Sequence, residues 1–348
     1  MTNRWKTILI GISLCLRLGS GAHAEGAESG GYRLSDPVVH GNLAIYFVHG
    51  MSRSGPVPLT LQEALARKAI TVRETGQVNE LQVENTGDEG VFIQSGDIVK
   101  GGQQDRVLSV SLLLPPHSGA IPIASFCVES GRWSARGDED ARSFSSANAS
   151  LPSRIAKLAL ARAAVPKPAD GAVPSGSRQQ QVWKSVEQIQ HKLSSNLGVA
   201  VAAPQSHTSL ELSLNDRLAR EQADYISALQ GKGEQGDDII GYVFAVNGKV
   251  NSADIYPSNG LFRKMWPKLL RASVTEAIGE GKTSNLPAPP ARAVNGFIVE
   301  AEKSKRVETR ATKQTTIGLR EGSTMMSLES RPAAAAADAW IYRSYIAK

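Results

Sequence analysis

The chain has 348 residues, 41% of them hydrophobic and only 5% aromatic, enough for a sizeable core of Val, Leu, Ile and Ala in one large domain or two closely joined ones. Its 39 Lys and Arg against 33 Asp and Glu give +6; residues 1–24 hold Arg4, Lys6 and Arg17 and no acid, so the remainder carries +3, too mild for a nucleic-acid-binding protein. The six histidines are scattered, with no HxxxH, HxH or paired-cysteine spacing, so neither a metal site nor a cofactor is expected.

At the N-terminus, Arg4 and Lys6 precede the apolar run Ile8–Leu16, and Ala22-His23-Ala24 is a small-x-small cleavage site. The pattern predicts a signal peptide over 1–24, cleaved after Ala24, and an exported protein, periplasmic or secreted. The run is too short to span a bilayer, and no later segment is long and apolar enough, so no transmembrane segment is expected after signal removal. Of the two cysteines, Cys15 leaves with the signal, and Cys127 alone forms no intramolecular disulfide.

The first block, 32–133, reads as β-rich. "NLAIYFVHG" is a strand with Leu43, Ile45 and Phe47 on one face and Ala44, Tyr46 and Val48 on the other. "TLQEALARKA" is a short helix, with Thr60 and Glu63 at capping-box spacing. "ELQVEN", "GVFIQSG", "RVLSVSLLLPP" and "AIPIASFCVES" are further strands joined by short turns, which favours antiparallel pairing.

The part from 151 to 280 reads as helices and one hairpin. A helix is expected at "PSRIAKLALARAA" with Ser150 as its cap, and "VPKPADGAVPSGS" (165–177) is a linker. The next helix covers 179–197, with Val182, Val186, Ile189, Leu193 and Leu197 in one stripe and Gly198 as stop. Another runs from Asp216 to Gln230 with Asn215 as cap. "DIIGYVFAVNGKVNSADIY" is a hairpin turning at Asn247-Gly248 in type I′ geometry. A helix carrying Phe262, Met265, Trp266, Leu269, Leu270, Val274 and Ile278 follows, either starting at Pro267 or kinked there. After the "SNLPAPPAR" linker, 294–348 reads as a β-rich C-terminal segment: "GFIVEAEKSKRVET", "TTIGLREGSTMMSLES" and "AWIYRSYIA". The fold class is α+β, mostly antiparallel sheet in a sandwich or barrel-like arrangement, with several packed helices; its main domain spans 32–283.

Two stretches carry the candidate chemistry. "SGDIVKGGQQDRV" (Ser95–Val107) places Asp97, Lys100, Gln103, Gln104, Asp105 and Arg106 around Gly101-Gly102. Paired glycines permit close backbone approach, and exposed amides there bind an anion; a tight turn with a polar rim explains the same residues. The P-loop and dinucleotide spacings are absent. In "SFCVESGRW" (Ser125–Trp133), alternation puts Ser125, Cys127 and Glu129 on one side of a strand. A neighbouring Glu129 raises a thiol pKa and no histidine adjoins Cys127, so this cysteine is read as structural. Arg132 suits a phosphate or carboxylate and Trp133 a stacked ring; the other reading pairs Arg132 with Glu129 and uses Trp133 to cap the core. No GxSxG signature is present.

Together with the distant "GYVFAVNGKV…LFRKMWPKLLR", these two stretches resemble the ADP-ribosylglycohydrolase (ARG) and rhodanese-phosphatase-superfamily-associated protein domain family, over roughly Tyr32–Ile278. The matching positions are Asp97, Lys100, Gly101, Gln104, Arg106, Cys127, Glu129, Gly131, Arg132 and Trp133. The resemblance implies a setting in ADP-ribose or NAD-related metabolism and no assigned catalytic residue.

Three functional expectations follow, in order. The first is a binding or accessory module for a small anionic ligand, of nucleotide or ADP-ribose kind, contacted by Asp97, Lys100, Gly101, Gln104, Arg106, Arg132 and Trp133. The second is a periplasmic hydrolase acting on a phosphorylated or ribosylated substrate, with Glu129 or Asp105 as general base. The third is an envelope interaction protein using the segment Leu261–Arg320, which holds twelve basic and five acidic residues.

Overall fold

Both faces of the strand Leu43–His49 are buried, Leu43, Ile45 and Phe47 on one side and Ala44, Tyr46 and Val48 on the other. A strand apolar on both sides belongs in the middle of a covered sheet. In the computed structural model, which describes residues 28–29, 31–128, 143–164, 175–201, 216–283, 286–334 and 339–348, it does. The large sheet has ten strands in the order β1 (Glu28–Ser29), β2 (Tyr32–Leu34), β4 (Leu43–His49), β14 (Ile239–Val246), β15 (Lys249–Ile255), β19 (Tyr342–Ala347), β18 (Met325–Pro332), β17 (Thr315–Glu321) and β16 (Arg306–Arg310), with β3 (Val38–His40) also paired to β4. The C-terminal segment therefore completes the same sheet that the N-terminal strands begin.

Helices cover both faces of this sheet. On one, Leu43, Ile45, Phe47, Tyr242 and Phe244 pack against Phe262, Trp266 and Leu270 of α5 (Asn259–Glu280). On the other, Ala44, Tyr46, Val243 and Ile255 meet Val294, Ile298 and Ala301 of α6 (Ala291–Lys303). Ser258 caps α5 by accepting from the Leu261 amide at 3.3 Å, and Pro267 lies inside the helix on its exposed side. The β14–β15 hairpin turns as expected, with φ of +51° at Asn247 and +76° at Gly248.

A second layer comes from the first block. Its six-stranded sheet runs β13 (Phe144–Ser146), β9 (Ile98–Gly101), β10 (Arg106–Leu108), β12 (Gly119–Cys127), β7 (Glu80–Asn85), β6 (Ile70–Glu74). A three-stranded sheet runs β11 (Leu112–Leu114), β8 (Val91–Ile93), β5 (Leu59–Thr60), with β5 and β8 parallel. The helix α1 (Leu61–Ala66) starts on the expected Thr60–Glu63 capping box. α2 (Arg154–Ala163), α3 (Ser175–Leu197) and α4 (Asp216–Leu229) complete an α+β fold of mainly antiparallel sheets, as the sequence predicts. Among the described residues no helix is long and apolar enough to cross a membrane.

Some local expectations change. "GFIVEAEK" is helix rather than strand: its β-branched residues suggest extension, but Val294, Ile298 and Ala301 form a helical stripe whose burial against the sheet decides the matter. α2 is capped by Ser153, which accepts from the Ala156 amide, and not by Ser150. α3 begins at Ser175, within the expected linker, while its stripe of Val182, Val186, Ile189 and Leu193 is buried as read. "RVLSVSLLLPP" divides into β10 and β11, which enter different sheets. The expected signal peptide, the Asn215 cap and residues Glu129, Gly131, Arg132 and Trp133 lie outside the described residues.

Candidate functional site

The Gly101-Gly102 bend joins β9 to β10, and both glycines have positive φ, +120° and +61°. A Cβ on Gly101 would stand 2.4 Å from the Ser143 carbonyl oxygen, and one on Gly102 2.3 Å from Phe144 Cζ. The close approach that the glycines permit is thus taken up by the chain itself at β13. Asp105, 2% exposed, closes the bend by accepting from the Gly101 amide at 3.0 Å. Glu74 accepts from the Gln103 amide at 3.2 Å and from Arg106 Nη2 at 3.3–3.4 Å, while Arg106 Nη1 donates to Gln104 Oε1 at 3.3 Å. Arg106 and Gln104 are both buried.

Asp97 is buried further in. One oxygen accepts from the Gln94 amide at 2.9 Å and the other from Lys268 Nζ of α5 at 2.6 Å. Lys100 is half-buried, and its carbonyl accepts from Ser145 Oγ. Cys127 pairs with Arg106 in the β10–β12 ladder, and its peptide is clamped by the Gln179 side chain of α3, at 3.0 Å from its N–H and 2.7 Å from its C=O. Burial pushes the thiol up from its ordinary value, and the neighbouring Arg106 guanidinium offsets this only partly. The next residue, Val128, donates its amide to the Asp105 carbonyl at 3.2 Å. The structure therefore brings Asp105, Arg106 and the strand end at Cys127 together, while Asp97 is drawn towards α5.

A different hollow is open and strongly charged. The C-terminal strands alternate: Arg306 of β16, Arg320 of β17, Ser327, Glu329 and Arg331 of β18, and Arg343 and Tyr345 of β19 line one face, joined by Glu302 of α6, around a pocket of about 290 Å³. Glu329 sits among three guanidiniums. Arg343 Nε lies 2.6 Å from its Oε2, Arg306 Nη1 lies 2.9 Å from Oε1, and Arg331 Nε also contacts Oε1. Burial alone would raise the Glu329 carboxyl, but Arg343 and Arg331 outweigh it and hold the group below its ordinary value. Arg306 Nε is 2.9 Å from Glu308 Oε1 but outside hydrogen-bond geometry, and its Nη2 is buried; neither nitrogen has a hydrogen-bond partner among the described residues. Arg320 is half-buried and its guanidinium makes no hydrogen bond or ion pair among the described residues. Among the described residues, four guanidiniums thus face two carboxylates in the pocket, with Glu308 also set against Arg306.

The opposite face of these strands closes a second, internal cavity of about 40 Å³, lined by Tyr242, Asp254, Tyr342 and Ser344 from the sheet and Lys157 from α2. Tyr342 and Ser344 donate to Asp254 Oδ1, Lys157 Nζ lies 3.6 Å from Oδ2, and Tyr242 bonds Ser273 at 3.0 Å. Burial, reinforced by Asp254, raises both tyrosines well above their ordinary value, so they remain neutral donors. The space suits a buried water rather than an organic ligand. Among the described residues no group of three or more His, Cys, Asp or Glu could hold a metal ion.

The sequence reading reached Arg306 and Arg320 as part of a basic segment but missed Arg331 and Arg343 beyond it. The available signal was period-two alternation in "SLESRP" and "YRSYIA", which sets Glu329 with Arg331 and Arg343 with Tyr345 on one face.

No curated protein and no solved structure matches the chain. One family model does match, over residues 31–346, extending the expected resemblance through the C-terminal strands that build the arginine pocket. The chain belongs to the family defined by the ARG and Rhodanese-Phosphatase-superfamily-associated Protein domain.

Proposed function

We propose that the chain is a binding or accessory module for a small anion, held in the arginine pocket between α6 and strands β16–β19. The observation that carries this reading is Arg320: a half-buried guanidinium with no counter-ion among the described residues, lining an open hollow beside the unsatisfied Nη2 of Arg306. A guanidinium fork is suited to planar, two-point recognition of phosphate or carboxylate oxygens. The anion site of this proposal lies away from the Gly101–Arg106 bend, where Arg106 and Glu74 face one another and Lys268 faces Asp97. The pattern of residues 1–24 supports an exported location, where such a module would meet its ligand outside the cytoplasm.

Isothermal titration with inorganic phosphate tests the reading. Binding that weakens as salt is raised and falls about tenfold or more in Arg320→Ala is expected. Identical heats for wild type and Arg320→Ala would remove it.

A further inference from the structure

Glu302 has no evident place in a pocket built only to attract anions. It lies on α6 with its Oε1 accepting from the Tyr345 hydroxyl at 2.8 Å, and its Oε2 makes no hydrogen bond or ion pair among the described residues. Burial, followed by the charge of Glu302 itself, keeps the Tyr345 phenol well above its ordinary value. Tyr345 therefore stays protonated and holds the carboxylate in a fixed orientation. Glu329, by contrast, has both oxygens occupied by guanidiniums. Among the described residues, the pocket thus combines the unpaired guanidinium of Arg320 and the buried, unbonded Nη2 of Arg306 with one unfilled carboxylate oxygen.

An ionised carboxylate accepts hydrogen bonds and donates none. It repels an oxyanion whose oxygens are all bare and attracts one that carries an O–H. Inorganic phosphate retains at least one such hydrogen across the neutral range, and sulfate retains none. Resting on the anion-site reading above, we infer that Glu302 selects a hydrogen-bearing oxyanion, inorganic phosphate in the simplest case, and rejects fully ionised oxyanions of the same size and shape. The arginines supply attraction for either anion; Glu302 supplies the discrimination, through a repulsive contact with the wrong partner.

The test compares inorganic phosphate with sulfate by isothermal titration at neutral pH and constant ionic strength, using the full chain, Glu302→Gln and Arg320→Ala. Glutamine keeps an acceptor for the phosphate O–H and adds an N–H that a bare oxygen accepts. Wild type is expected to prefer phosphate by about tenfold or more, the scale of one hydrogen bond to a charged group. Glu302→Gln should reduce that preference to about threefold or less, chiefly by gaining sulfate affinity. Glu302 is exposed, so the variant should keep the wild-type melting temperature. Comparable binding of both anions by wild type, lost in Arg320→Ala, would overturn the selection role and leave the anion site standing. An unchanged phosphate preference in Glu302→Gln would likewise overturn it. Binding of neither anion would overturn both.

Discussion

The guanidinium of Arg306 lies so close over the backbone of Gly318 that a Cβ there would stand 2.3 Å from its Nε and 2.7 Å from its Cζ and Nη2. β16 and β17 are neighbours in the sheet, and the missing side chain at 318 leaves room for Arg306 to settle against the floor of the pocket and reach Glu329. Gly318→Ala should displace Arg306. The atoms displaced are the far end of a flexible side chain, so the fold should survive while phosphate affinity falls about tenfold. Calorimetry alongside a thermal melt separates these effects; undiminished affinity would show that Arg306 takes no part.

The buried Lys268–Asp97 pair ties α5 to the Gln94–Asp97 turn, with side chains 7% and 2% exposed. Removing one partner strands the other charge. Lys268→Met should cost about 3–5 kcal/mol in urea unfolding, and the Asp97→Asn/Lys268→Met double variant should recover a large part of it. A double variant as unstable as the single one would contradict this account.

Glu329 makes stability depend on acid. Its carboxyl is held below the ordinary value in the folded chain, so its contribution is complete above the ordinary carboxylate pKa and is lost as pH falls through the lowered one. Glu329→Gln should be less stable than wild type at neutral pH, and the gap should close progressively through that acidic window. Denaturant midpoints measured across the range decide it; a gap independent of pH would contradict the assignment.

Cys127 is 1% exposed and its thiol is raised by burial. Iodoacetamide at neutral pH should leave it unmodified in the folded protein and alkylate it rapidly in urea, as read by mass spectrometry of the peptide containing Cys127. Fast labelling under native conditions would mean the β12 end opens readily.

Much of the fold could be read from local signals. The Thr60–Glu63 cap, the Asn247-Gly248 turn and the α3 stripe are each written in a few neighbouring residues, and each forms as expected. What escaped depends on distant partners. Residues Gly296–Val299 have the β-branched character of a strand, and only the sheet face offered to Val294, Ile298 and Ala301 makes them helical. The candidate site divides in the same way. Gly101 and Gly102 signal a close approach, but the neighbour that comes close, β13, cannot be identified from the bend alone. Arg306, Arg320, Arg331 and Arg343 come from four strands, and their convergence exists only once β16–β19 are paired in register.

The most direct test of the anion site is a crystal structure of the chain grown with inorganic phosphate. Phosphate density is expected in the hollow between α6 and β16–β19, within hydrogen-bonding distance of Arg320 and Arg306. Phosphate at the Gly101–Arg106 bend, with the arginine hollow empty or closed by a side chain, would contradict it.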